Sequence, residues 1–145
     1  MTPHPARRVR IACAVLLVLW CAASWTLSSQ HDPEGYVGFR IHLNDKVEHV
    51  IEYAAAGFFA TGAFGRVGRL PAWIAALVFC LAWGISDEIH QSFVPGRDSS
   101  AEDVAADVTG AALGTLVFMA AAMRRTPQDG VPSHEKESSK EPTRS

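Results

Sequence analysis

Residues 83–97 read Trp83-Gly84-Ile85-Ser86-Asp87-Glu88-Ile89-His90-Gln91-Ser92-Phe93-Val94-Pro95-Gly96-Arg97. Two carboxylates, an imidazole and an amide fall together directly after an apolar run from Trp73 to Ile85. Such groups can move protons, hold a cation or hydrogen-bond a polar ligand. Two other stretches carry the same chemistry: Asp45-Lys46-x-x-His49-x-x-Glu52-Tyr53, and Asp103-x-x-x-Asp107. Helical spacing gives each stretch a polar face. His49, Glu52 and Tyr53 share one; Cys80, Gly84, Asp87 and Gln91 share a second; Asp103, Asp107, Gly110 and Gly114 share a third. A charge facing lipid costs roughly 2.5–3.5 kcal/mol even on lenient insertion scales. These groups therefore sit at a membrane surface or inside a bundle with partners.

Taken singly, each residue also has a plain structural reading. Asp45 with Glu48 suits a helix N-cap. Lys46 can snorkel to head groups, and Tyr53 can be interfacial packing. Glu88 and Glu102 can be solvated. His49 or His90 can be an ordinary hydrogen-bonded histidine, and Gly84, Gly110 and Gly114 can be notches for close helix packing. The sum is harder to dismiss. Lys46 and Arg97 face Asp45, Glu48, Glu52, Asp87, Glu88, Asp98, Glu102, Asp103 and Asp107. That excess of acid implies protonated carboxyls, charged histidines or a bound cation.

The elements that must position these groups are four apolar blocks. The chain has 145 residues, 48% of them hydrophobic and 19% charged, enough for one domain. Ile11 to Leu27 is apolar except for Ser24 and Thr26, behind Arg7, Arg8 and Arg10. It reads as a retained first membrane helix rather than a cleaved leader, because the apolar run continues past a usual leader core. A polar connection, 28–44, leads to a second helix from about Val47 to Phe64. After a basic turn with Arg66 and Arg69, Pro71 opens a third, running to about Phe93, where Pro95-Gly96 breaks it. Ser99 and Glu102 form an expected capping box for a fourth, about Ala101 to Met123. The charges gather at the helix ends and the middles are apolar all round, unlike a soluble bundle. The fold class is all-α: an integral membrane bundle of four transmembrane helices. Residues 1–10 form a basic cytoplasmic N-terminus, 11–123 the transmembrane domain, and 124–145 a disordered cytoplasmic tail too poor in apolar residues to order itself. The excess of Arg and Lys on one side, including Arg124 and Arg125, puts both termini in the cytoplasm. The three acidic faces then meet near the outer surface. Cys13, Cys21 and Cys80 lie in apolar blocks without ligand spacing and read as small apolar fillers. A net charge of −2, with no basic stripe, argues against nucleic acid as a partner.

With these residues assembled, the chain resembles the VanZ-like membrane proteins. The resemblance rests on Asp45-Lys46-x-x-His49-x-x-x-Tyr53, on Ser86 to Arg97, and on Asp103-x-x-x-Asp107-x-Thr109-Gly110-x-x-x-Gly114. It covers about residues 40–120. Where the family pattern has Asn, this chain has Asp107, which must then be protonated or meet an extra cation. The resemblance implies a multi-pass protein of the bacterial cytoplasmic (inner) membrane, related to proteins of low-level resistance to the lipoglycopeptide teicoplanin.

The expected function is non-enzymatic. Membrane lipids are the expected partners, and an outer-side pocket would bind or shield the head group of a lipid or other amphiphile. Asp87, Glu88 and His90 would meet amine or hydroxyl groups, and Arg97 a phosphate or carboxylate. No cofactor is expected. An interfacial hydrolase or transferase acting on lipid is the alternative, with His49 or His90 as base and Glu52 or Glu88 as acid, or with a metal on His49, Asp87 and His90. Against it, Ser86 and Ser92 have no nucleophile context. The remaining alternative is a structural bundle whose polar cluster only fixes helix registry.

Overall fold

The computed structural model describes residues 5–29, 45–65, 70–95, 97 and 99–124. Among these residues four helices follow in order: α1 (Pro5–Ser28), α2 (Asp45–Ala63), α3 (Ala72–Gln91) and α4 (Ala101–Arg124). They run alternately up and down, so the ends of α1 and α3 and the starts of α2 and α4 share one end of the bundle. Much of the 28–44 connection, the basic turn with Arg66 and Arg69, Gly96, Asp98, Arg125 and the 126–145 tail lie outside the described residues.

Helix boundaries follow local chemistry. Pro71 sits just before α3 as its N-cap, with extended backbone, and its carbonyl accepts from the Ile74 and Ala75 N–H groups. α3 stops at Gln91, earlier than Phe93. The Ser92 N–H still bonds the Glu88 carbonyl, and the Phe93 N–H bonds that of His90, turning the chain before Pro95 is reached. The cap of α4 lies one residue beyond the Ser99–Glu102 box. The Asp103 N–H donates to Ser100 Oγ at 3.2 Å, and the Ser100 hydroxyl donates to Asp103 Oδ2 at 2.7 Å. The box closes on Asp103 because Glu102 swings out to Lys46. Ser100→Ala should cost about 1 kcal/mol of unfolding free energy and Ser99→Ala almost nothing, read by thermal unfolding in detergent.

α2 is the central helix and touches all three others, α4 most closely. Small residues make that contact possible. A Cβ built on Gly110 would overlap the Val50 carbonyl oxygen, and one on Gly114 that of Ala54. Across the same seam the Thr61 hydroxyl donates to Thr115 Oγ1 at 3.0 Å. The buried core is likewise small-grained: Leu17, Cys21, Tyr53, Ala56, Ala60, Ala76, Cys80 and Ala111, rimmed by Trp20, Phe59, Phe64, Phe79 and Trp83. Its cysteines are free and buried, as apolar fillers.

Outside this core, large apolar side chains face outward, among them Val18, Leu19, Val78, Leu116 and Val117. Exposed Ser86 and Thr109 bond the carbonyls four residues back in their own helices, which satisfies their hydroxyls without water. Such an exterior suits lipid and not water. Three helices, α1, α3 and α4, are long and apolar enough to cross a membrane. α2 does not meet that measure by itself, because Asp45, Lys46, Glu48 and Glu52 occupy its first two turns.

Candidate functional site

The polar end of the bundle is built from α2, α3 and α4. Each contributes its innermost stripe: His49 and Tyr53 on α2, Gly84, Asp87, Glu88 and Gln91 on α3, Asp103 and Asp107 on α4, all buried. The two acid-bearing faces read from the sequence for α3 and α4 are thus the inward ones. The face of α2 divides. His49 and Tyr53 point inward, while Glu52 turns toward α1.

At the centre, His49 Nδ1 lies 2.8 Å from Asp107 Oδ1. Asp107 is 1% exposed, so this imidazole is the partner that its carboxylate demands. The other oxygen, Oδ2, rests against Gly84, where any Cβ would collide with it. Gly84 is therefore more than a helix-packing notch: its missing side chain is the room Asp107 occupies. Above this pair, Lys46 Nζ bridges Glu102 at 2.8 Å and Asp103 at 3.3 Å. Glu102 is solvated, as one sequence reading had it. Glu88 is not. It is 7% exposed, and its Oε2 accepts the Ser100 N–H at 2.8 Å, which fastens the α3–α4 loop to α3. The Gln91 side chain donates to Asp87 Oδ2 at 2.8 Å.

Four buried oxygens of this cluster have no hydrogen-bond partner among the described residues: Tyr53 OH, Asp87 Oδ1, Glu88 Oε1 and Asp107 Oδ2. Buried polar atoms are rarely left so, because desolvation without a bond costs about 1–3 kcal/mol each.

His90 does not join the cluster. Its ring stacks on Trp25 with centroids 4.1 Å apart, and its Nε2 is 2.9 Å from the Ser29 hydroxyl. The ligand set His49, Asp87 and His90 is therefore not assembled. Helical geometry explains it: Asp87 and His90 are nearly a turn apart, but His90 leans to the α1 side. The groups that do converge with His49 are Glu88 with Asp107, and separately Asp45 with Asp103. Arg97 lies partly buried in the loop and makes no side-chain ion pair among the described residues.

α1 brings residues that the motif search passed over. The Ser24 hydroxyl donates to Glu52 Oε1, and the Trp20 indole N–H donates to the Glu52 carbonyl at 3.1 Å. Cys13, Leu17, Cys21, Ser24 and Ser28 form one buried stripe at three- and four-residue steps. Polar residues continuing an apolar stripe were the signal that α1 has partners for acids. Between α1 and α3 runs an apolar groove of about 720 Å³, lined by Leu17, Cys21, Trp25, Phe64, Phe79 and Trp83. Trp25 therefore belongs both to the groove and to the His90 contact.

An apolar exterior, small-residue seams and buried acids held at one end define an α-helical membrane protein. A model of the VanZ/LLP1 family matches residues 11–123. The chain belongs to the VanZ/LLP1 family. No match was found among curated proteins or among solved structures.

Proposed function

We propose that this chain is a four-span protein of the bacterial cytoplasmic membrane, both termini inside, that holds the head group of a lipid or lipid-like amphiphile at its outer polar end. The observation that carries the reading is the coincidence of two surfaces. Partnerless buried oxygens gather at one end of the bundle, and the apolar groove between α1 and α3 ends beside His90 at that same end. An acyl chain laid in the groove brings its head group to the polar residues. Asp87 and Glu88 suit an amine- or hydroxyl-bearing head group, and Arg97 suits a phosphate or carboxylate. α2 crosses as the fourth span with its exposed, charged first turn at the outer polar end and its remaining length packed against α1, α3 and α4. The arginines of α1 (Arg7, Arg8, Arg10) and Arg124 lie at the opposite end, which the positive-inside bias places in the cytoplasm. Through its family, the reading extends to tolerance of the lipoglycopeptide teicoplanin, whose lipid tail makes it such an amphiphile.

The test compares teicoplanin tolerance in cells making the wild type, Asp87→Ala or His90→Ala, with insertion checked by membrane fractionation. Both variants should insert normally and lose the tolerance. Inserted variants that keep it would refute a ligand role for the polar end. A cysteine placed in the loop after Phe93 should react with an impermeant maleimide from outside; labelling only after lysis would reverse the topology.

One observation favours a second reading, a lipid hydrolase or transferase: the His49–Asp107 contact could orient a general base. Ser86 and Ser92 offer it no nucleophile, since each hydroxyl is bonded to a carbonyl of its own helix. An envelope lipid profile that changes when the gene is deleted would favour this reading.

A further inference from the structure

The polar end holds a set of donors that helix packing alone does not require. One donor atom from each of His49, Glu88 and Asp107 lies within 4.8 Å of the other two, and all three residues are buried. They come from α2, α3 and α4, so the set exists only in the folded bundle. His49 Nδ1 and Asp107 Oδ1 are 2.8 Å apart. Neighbouring ligands on a tetrahedral cation bound at about 2.1 Å stand roughly 3.4 Å apart, so this hydrogen-bonded pair need part by only about 0.6 Å once its proton leaves. A second observation is independent of this spacing. Glu88 Oε1 and Asp107 Oδ2 have no hydrogen-bond partner among the described residues, on side chains 7% and 1% exposed. Lys46 turns instead to Glu102 and Asp103.

We propose that His49, Glu88 and Asp107 bind a single divalent transition-metal cation. One imidazole with two carboxylates, and no thiolate, fits Zn²⁺ first and Mn²⁺ second; an all-oxygen set would have suited Mg²⁺ or Ca²⁺ better. The charges agree. A dication neutralises two carboxylates that otherwise sit within a bundle whose exterior is apolar. The supports of the ligands agree as well. The Ser100 N–H fixes Glu88 through Oε2 and leaves Oε1 without a partner, the kind of outer hydrogen bond that orients metal ligands. Gly84 leaves Asp107 its space. Glu88 also lines a shallow opening of about 260 Å³ with Ser92, Ser99 and Ser100, so one member of the set borders the surface. On binding, the cation takes the place of the proton shared by His49 and Asp107, which passes to solvent. The site rests on protein ligands alone and stands whether or not a head group binds nearby.

The test uses the full-length chain in detergent micelles, purified without a histidine tag, stripped with chelator and titrated with Zn²⁺ and separately with Mn²⁺. One metal per chain should bind, affinity should fall with falling pH, and bound metal should raise the melting temperature. Asp107→Asn and Glu88→Gln should each weaken binding by about tenfold or more, while His90→Ala should leave it unchanged. Helical circular dichroism shows which variants are folded. If one of the two isosteric variants loses its helices, the other decides; if both do, the wild type decides through its pH dependence and melting shift. Failure of both metals to bind the wild type overturns the proposal. So does binding that survives in folded Asp107→Asn and Glu88→Gln, or that falls equally in His90→Ala. Because only metal is titrated, a negative result leaves the tolerance experiment with Asp87→Ala untouched, and the converse also holds.

Discussion

Gly114→Val should abolish the folded bundle. A Cβ at this position overlaps the Ala54 carbonyl oxygen and stands 2.9 Å from the Phe58 backbone nitrogen. Both are backbone atoms of α2, so no rotamer change relieves the clash and the whole helix must withdraw. Gly57 and Gly110 repeat the constraint along the same seam, against the Ala111 and Val50 backbones. Withdrawal of α2 breaks the Thr61–Thr115 hydrogen bond and parts His49 from Asp107. Overpacking a well-fitted core costs about 1–3 kcal/mol where side chains can adjust. Here they cannot, and a loss above about 3 kcal/mol is expected, enough to unfold a marginally stable domain. Gly114→Ala should already be strongly destabilising. Leu116→Ala, on a side chain 61% exposed, should stay within about 0.5 kcal/mol. Unfolding by added SDS in mixed micelles measures all three. A Gly114→Val protein as stable as the wild type would mean that α2 and α4 do not meet along this line.

The same seam shows what the sequence made legible and what it hid. Helical periodicity alone placed Asp103, Asp107, Gly110 and Gly114 on one face, and Cys80, Gly84, Asp87 and Gln91 on another. Both faces turn inward, because in lipid a polar or small-residue stripe has nowhere better to go. What periodicity cannot report is rotation within a polar stretch. Asp87, Glu88, His90 and Gln91 span barely more than one turn, so they fan across much of the helix circumference. Only the neighbours decide that Glu88 faces α4 while His90 faces α1. The sequence pointed to Ser99 where the structure has Ser100 at the start of α4 for a related reason. Two serines each had an acid three residues on, and the choice was made by Lys46, on a different helix, drawing Glu102 away. The role of α1 was legible in principle from Ser24 and Ser28 continuing the Leu17–Cys21 stripe, but a lone hydroxyl on an apolar helix gives no direction by itself. α2 shows the limit of composition in the other direction. Its charges exclude it from the helices that qualify as spans by themselves, yet it is the helix that packs most extensively against the others.

That central position makes the His49–Asp107 pair the most consequential polar contact in the bundle, and its variants should show a reversal of sign. His49→Leu leaves Asp107, 1% exposed, without the imidazole 2.8 Å away. Removing one partner of a buried charged pair typically costs about 3–5 kcal/mol, because the other remains desolvated and uncompensated. Asp107→Asn alone should cost much less, about 1 kcal/mol, since the amide oxygen can still accept from Nδ1–H in the same place. In the His49→Leu background, however, Asp107→Asn removes the orphaned carboxylate and should stabilise, recovering a large part of the loss. The coupling is the difference between those two effects of one substitution. Thermal unfolding of the four proteins in chelator isolates the pair from any bound cation. If Asp107→Asn destabilises both backgrounds equally, the two residues are energetically independent and the pair is an accident of packing. A reversal would show instead that α2 and α4 are held in register by a charge that each helix would reject if it stood alone in lipid.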